Sequence, residues 1–184
     1  MEKSLYTGKN MKTFNDILEE TKNKSIFEIA EQIIKDMRTL NLLLFKMQEN
    51  FHLKDKIKTL RGISQETNEE IINLINRIEI YINKISTAIT NEVQMEPLNK
   101  TKTDRIMINI MEQYLFISEF IQSDGIIGEN YVVDLNRIHT ARNNLNDAIN
   151  RYNSKIANVN NWTEIISGNE AFSMAKKQIN RSAE

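Results

Sequence analysis

Two histidines and no cysteine bound the chemistry open to this chain. Without a thiol there is no cysteine nucleophile, no thiolate metal site and no disulfide. Glu49-Asn50-Phe51-His52 is a Glu-x-x-His step, which on a helix turns a carboxylate and an imidazole to one face. A di-iron bundle needs that pair on each of two helices. The other histidine, His139, has Asn136 three residues before it, so the second copy is missing. His139 would act as a base only beside a nucleophile and an orienting group. No G-x-S-x-G turn, phosphate-cradling glycine loop or H-E-x-x-H step announces one. The carboxylate pairs Glu19/Glu20 and Glu69/Glu70 fall in helix first turns or exposed segments, where the helix dipole and solvation account for them. The expectation is therefore no catalytic residue, no metal and no cofactor, with a metal-binding or enzymatic bundle built on His52 as the alternative.

Residues suited to recognition are easier to find. Asn146, Asn150 and Asn153 stand at i, i+4 and i+7, a polar seam running beside an apolar stripe, and Arg142 lies one turn before it. Such a seam can hydrogen-bond a partner or fix register within a coiled coil; in an Asn-rich chain it also fits a solvated face. Trp162, after a polar run, is either a packing staple or an interface anchor. Arg142, Asn146, Asn150, Asn153 and Trp162 are the candidate partner-binding residues. Asn76 and Asn83, seven apart and next to Ile75 and Ile82, pose the same choice. Met37, Met47, Met107 and Met111 fall on apolar stripes and read as core filler.

The elements that must position these groups are helices. Five Gly and one Pro in 184 residues leave too little punctuation for a sandwich or barrel. A short helix starts at Thr13, where T-F-N-D sets an acid three residues after a capping hydroxyl. S-I-F-E at Ser25 is a second capping box, and from there Ile26, Ile29, Ile33, Met37, Leu40, Leu44, Met47 and Phe51 recur at three and four, predicting a helix to about Phe51. Gly62 marks a break or a weak point. A second stripe runs Ile71, Leu74, Ile75, Ile78, Ile82, Ile85, Ile89, and Pro97 ends it. T-K-T-D at Thr101 is read as the cap of a third helix carrying Met107, Ile110, Met111, Tyr114, Ile117 and Ile121, closed by Gly125 and Gly128. The fourth helix spans about 130–158, and a short helix around 171–179 follows Gly168-Asn169. The fold class is all-α, an antiparallel bundle of about four long helices with short terminal helices. Its organisation reads as a flexible lead-in over 1–12, an N-terminal helical segment over 13–62 that projects from the rest, a bundle core over 63–160, and a short helix with tail over 161–184.

Charge narrows the partners. Lys plus Arg number 24 against 25 Asp plus Glu, and each half is balanced, so the footprint of a general nucleic-acid binder is missing. The densest basic run, KDKIKTLR from Lys54, is interrupted by Asp55 and reads as a solvated face. The longest apolar run, Leu42 to Phe45, is far short of a membrane span, and the N-terminus lacks a signal-peptide core, which places the chain in the cytoplasm by default. The bias to Ile, Asn and Lys fits an AT-rich coding sequence, as in a low-GC bacterium or its phage.

The segment DLNRIHTARNNLNDAINRYNSKIANV, Asp134 to Val159, resembles the signature helix of the LemA family through Asn136, Arg137, Ile138, Ala141, Arg142, Leu145, Asn146, Tyr152, Asn153 and Ile156. EEIINLINRIEIY, Glu69 to Tyr81, is similar to that family's early helix ending in Tyr. The resemblance covers about residues 66–160. It implies an antiparallel helical bundle without enzymatic function; the membrane helix with which that family usually begins has no counterpart here, so anchoring is not implied. The functional expectation is an interaction protein, an adaptor, scaffold or homo-oligomer subunit, binding a protein partner or itself. A phage or virion structural component is the other non-enzymatic reading.

Overall fold

The computed structural model describes residues 12–57, 65–92, 97–122, 129–159 and 162–182; the side chains of 49–57, 65–66, 92 and 129–130 lie outside that description, and with them Glu49 and His52, as does the Gly62 break. Six helices carry the described chain: α1 (Phe14–Glu19), α2 (Ile26–Ile57), α3 (Gln65–Glu92), α4 (Lys100–Gln122), α5 (Glu129–Ile156) and α6 (Gly168–Ser182). The fold is all-α and four of the helices are long, as the stripes predict.

Helix starts follow local chemistry. Thr13 caps α1 in a full capping box, its hydroxyl accepting from the Asp16 amide and the Asp16 carboxylate accepting from the Thr13 amide. Ser25 Oγ accepts from the Glu28 amide at 3.2 Å and opens α2. The cap of α4 is not the Thr101 segment but Asn99, whose Oδ1 accepts from the Lys102 amide at 3.0 Å. A carboxamide reaches its N3 amide from that position as well as a hydroxyl does, and Thr103 is then free to be buried. For α6 the cap is Ser167, which accepts from the Glu170 amide at 3.1 Å, so the helix begins three residues before the expected one.

The stripes become one core. Ile33, Met37, Leu40 and Leu44 of α2, Ile71, Ile75, Ile78, Ile82, Ile85 and Ile89 of α3, Ile110, Met111 and Ile117 of α4, and Leu135, Ile138, Leu145, Ile149 and Tyr152 of α5 have no exposed surface. Each such aliphatic side chain contributes roughly 1.5–3 kcal/mol of transfer free energy. The described residues of α1 and α2 from Ile17 to Met47 therefore belong to the same core as the helices that follow.

The arrangement of the four long helices is a finding the stripes do not contain. The seven residues 58–64 span under about 30 Å, less than the roughly 48 Å length of α2, so α3 must return alongside it. α4 reverses again, and α5 once more. Yet α3 and α4, consecutive in sequence, do not pack on each other, and neither do α2 and α5. Each occupies the diagonal of a square whose edges are α2–α3, α3–α5, α5–α4 and α4–α2. Cross-links show the directions along two edges: Asn68 to Tyr131, Glu79 to Arg137 and Asn83 to Asn144 advance together, so α3 and α5 are parallel neighbours. Phe27 with Lys102 and Asn41 with Gln113 advance likewise, so α2 and α4 are parallel neighbours. The molecule is two antiparallel hairpins laid side by side, with α1 on the outside of α3 and α6 packed chiefly on α4.

Candidate interaction surfaces

The polar seam of α5 faces inward more than its sequence spacing implies. Arg142 is half-buried, its guanidinium 4.9 Å from the Tyr114 ring and 5.1 Å from the Phe172 ring, between α4 and α6. Burial pushes its pKa below the usual arginine value, with the Tyr114 hydroxyl acting in the opposite direction. Its Nε has no hydrogen-bond partner, and no described carboxylate pairs with it. Burial likewise raises the Tyr114 phenol, which Arg142 partly offsets. The Tyr114 hydroxyl is hydrogen-bonded to His139 Nδ1, and His139 Nε2 meets the Asn143 amide nitrogen at 3.3 Å. The imidazole is thus held between its two neighbours, Tyr114 on α4 and Asn143 on α5.

One turn on, the Asn146 carboxamide lies against Gly168, where a Cβ would overlap it; Gly168 is needed there for close approach of α6 to α5. Asn153 donates to the Ile165 carbonyl at 2.8 Å and accepts from the Ile165 amide at 2.9 Å, clamping the segment that leads into α6. Asn150 is exposed, and Trp162 is partly buried against the core. The structure therefore brings Arg142, Asn146 and Asn153 together under the chain's own C-terminal segment and leaves Asn150 on the outside. Other residues of α5 also tie it to its neighbours. Arg137 bonds Glu79 at 2.6 Å and Asn76 at 2.7 Å on α3, and the Tyr152 hydroxyl accepts from the Leu98 amide at 2.9 Å.

A second surface lies between α2 and α4. Leu42 and Phe45 of α2 and Phe116 of α4 are 62%, 54% and 37% exposed, and with Phe120 beneath them they line a groove of about 630 Å³. Single exposed apolar residues are ordinary, but a gathering of three over one groove is the usual sign of an interaction surface. Below the groove the seam is held by Asn41, whose amide donates to the Gln113 carbonyl and to Gln113 Oε1, both at 3.2 Å. Asn41 Oδ1 is left buried without a partner. Arg38 stands exposed at one end of the groove and Glu119 exposed at the other. Sequence reasoning missed this surface, although a signal was present. In L-N-L-L-L-F, Leu42 and Phe45 fall off the stripe that Leu40 and Leu44 define, so α2 is apolar on more than its core face.

Among the described residues no three His, Asp or Glu side chains gather as a metal would require, and no helix is long and apolar enough to cross a membrane. Compared with protein-family models, with curated proteins and with solved structures, the chain gives no match.

Proposed function

We propose that this chain is a non-enzymatic interaction protein, an adaptor or assembly subunit, that works through the α2–α4 groove. The observation that carries the reading is the cluster of Leu42, Phe45 and Phe116, apolar side chains left in water together over one groove. Burying them against a partner would release roughly 25 cal/mol for each Å² removed from water. The groove runs along two parallel helices, a shape that accepts the apolar face of another helix or helix pair. The resemblance of α5 to the LemA signature helix agrees with a bundle that does no chemistry. The polar seam of Arg142, Asn146 and Asn153 enters this reading as the fastening that holds α6 on α4 and α5.

A photo-crosslinking amino acid at position 45, expressed in the chain's native cell, tests the proposal. The expected result is a discrete crosslinked product from position 45 and none from position 151, an exposed site on α5. Equal labelling from both positions would sink the reading.

A further inference from the structure

We infer that Arg142 and Lys176, gathered over the Phe172 ring, form a binding site for a phosphate group, separate from the α2–α4 groove. The starting point is a charge that the described chain leaves uncompensated. Arg77, Arg137 and Arg142 are the half-buried arginines among the described residues. Taking a guanidinium out of water is costly unless an anion stands against it. Arg77 has the Asp36 carboxylate at 2.6 Å, and Arg137 has that of Glu79 at 2.6 Å. Arg142 has no such partner among the described residues. One of its terminal nitrogens donates to the neutral Asn143 Oδ1 at 3.2 Å, and its Nε donates to nothing.

A second cation is drawn to the same place. Lys176 Nζ lies 4.9 Å from the centre of the Phe172 ring, over which the Arg142 guanidinium stands at 5.1 Å. Neither cation has an ion pair among the described residues, and the acids of the two helices beyond Asp134, Asp147 on α5 and Glu170 on α6, are bonded to neither. The ring attracts each cation by roughly 0.5–2 kcal/mol but neutralises neither, and two like charges held over one ring repel each other. An anion at the edge of Phe172 removes both costs, because it meets the two cations together. Two unit charges favour a dianion over a carboxylate, and near neutral pH a phosphate group is that dianion. The guanidinium fork matches its oxygens in pairs, while the ammonium supplies a point charge. What the two side chains offer is charge, so recognition rests on the phosphate itself and not on what carries it. If Arg142 served only to fasten α6, Lys176, exposed on that helix, would have no part in binding an anion.

Heteronuclear NMR of the full chain tests this through the Arg142 Nε–H signal and the backbone amides of Asn143 and Phe172. Inorganic phosphate and O-phosphoserine are titrated separately, against sodium chloride at matched ionic strength, and circular dichroism confirms that each variant is folded. The expected result is a saturable shift with a Kd on the order of 1 mM. Lys176→Gln removes one charge and should weaken binding about fivefold to tenfold; Arg142→Lys keeps the charge but loses the fork and should weaken it by about as much. Position 176 is exposed, so K176Q carries the test if R142K does not fold. Tighter binding of O-phosphoserine than of inorganic phosphate upholds the site and identifies an esterified phosphate as its ligand. An affinity for O-phosphoserine no better than for inorganic phosphate upholds it with free phosphate as the ligand. Shifts that chloride reproduces, or that do not saturate by about 20 mM, overturn the inference. So does saturable binding that a folded K176Q or R142K leaves unchanged.

Discussion

The bundle has two edges where parallel helices lie side by side, and they are finished differently. Along α3–α5 the polar residues of one helix answer those of the other at three successive levels: Asn68 with Tyr131, Asn76 and Glu79 with Arg137, and Asn83 with Asn144. Along α2–α4 there is Lys102 over the Phe27 ring at 4.1 Å, then Asn41 with Gln113, and beyond that the groove. The same packing geometry thus yields a sealed seam on one side and an open one on the other. What separates them is the residue type that falls beside the core stripe. Where it is Asn, Glu or Arg, the chain satisfies itself; where it is Leu or Phe, the surface is left for something else to cover.

Truncation beneath the sealed seam should have the largest effect. Ile138, next in α5 to the Arg137 that ties that helix to α3, has no exposed surface. Ile138→Ala removes transfer energy and leaves a cavity, for an expected loss of about 3 kcal/mol in denaturant unfolding. Phe116→Ala, at the open seam, deletes more atoms but from a side chain already 37% exposed, and should cost less, about 1–2 kcal/mol. Equal losses at the two positions would erase the distinction between the seams.

The polar ties of the sealed seam come next. Arg137 reaches both Glu79 and Asn76, with its side chain 36% exposed, so solvent screens part of the attraction. Arg137→Ala should lower stability by about 1 kcal/mol, and a double-mutant cycle with Glu79→Ala should recover a coupling of roughly 0.5 kcal/mol or more. No coupling would mean that the apolar stripes alone hold α3 to α5.

A smaller, pH-dependent effect belongs to α1, which closes the outer face of α3. Burial alone would raise the Glu20 carboxyl, but the hydrogen bond and charge of Lys12, 2.5 Å away, override it, with Tyr81 and Arg77 assisting, and hold it below the ordinary 4.5. A carboxyl depressed in the folded state adds stability that is present above pH 4.5 and is lost as the pH falls through its folded value. The Tyr81 phenol, which donates to Glu20 at 3.2 Å, is pushed up to about 12, first by burial and then by that carboxylate. Between pH 10 and 12 the unfolded chain releases a proton that the folded chain keeps, so stability falls as pH rises. Melting temperatures of wild type should drop at both extremes, with Glu20→Gln flattening the acid limb and Tyr81→Phe the alkaline one. Unchanged limbs in both variants would remove α1 from the account of why that face is closed.

How far the sequence carries this picture depends on the interaction that decides each feature. The core was legible because helical periodicity records burial directly: every stripe residue from Ile71 to Ile89 is buried, the capping box at Thr13 is found where it was read, and at Ser25 the hydroxyl cap of the Glu28 amide is found. The square arrangement was not, because an apolar stripe says that a face is covered without saying by which neighbour. Whether α3 packs on α4 or on α5 is decided by pairs such as Glu79 with Arg137, 58 residues apart in the chain. The Asn seam was visible as a pattern, but its occupant was not: the contact of Asn146 with Gly168 and the clamp of Asn153 on Ile165 depend on where α6 returns. The groove was legible only in part, since the stripe of α4 shows which side of Ile117 is buried but not that Phe116 meets Leu42 and Phe45 across a seam.

The smallest expected effect on stability is also the sharpest test of the difference between the seams. Phe45 is 54% exposed and lines the groove, so replacing it with Gln takes apolar surface out of water contact that the folded monomer never removed. A little under half of the side chain is buried in the folded chain, so Phe45→Gln should lower the unfolding free energy by less than about 1 kcal/mol. A side chain with little structural duty in the monomer can still carry association, because only the bound state buries the rest of it. The same substitution should therefore abolish the discrete crosslink from a photo-reactive residue at position 42 while moving the melt little. A loss of several kcal/mol would instead make Phe45 part of the core, and the α2–α4 seam would then be as closed as its counterpart.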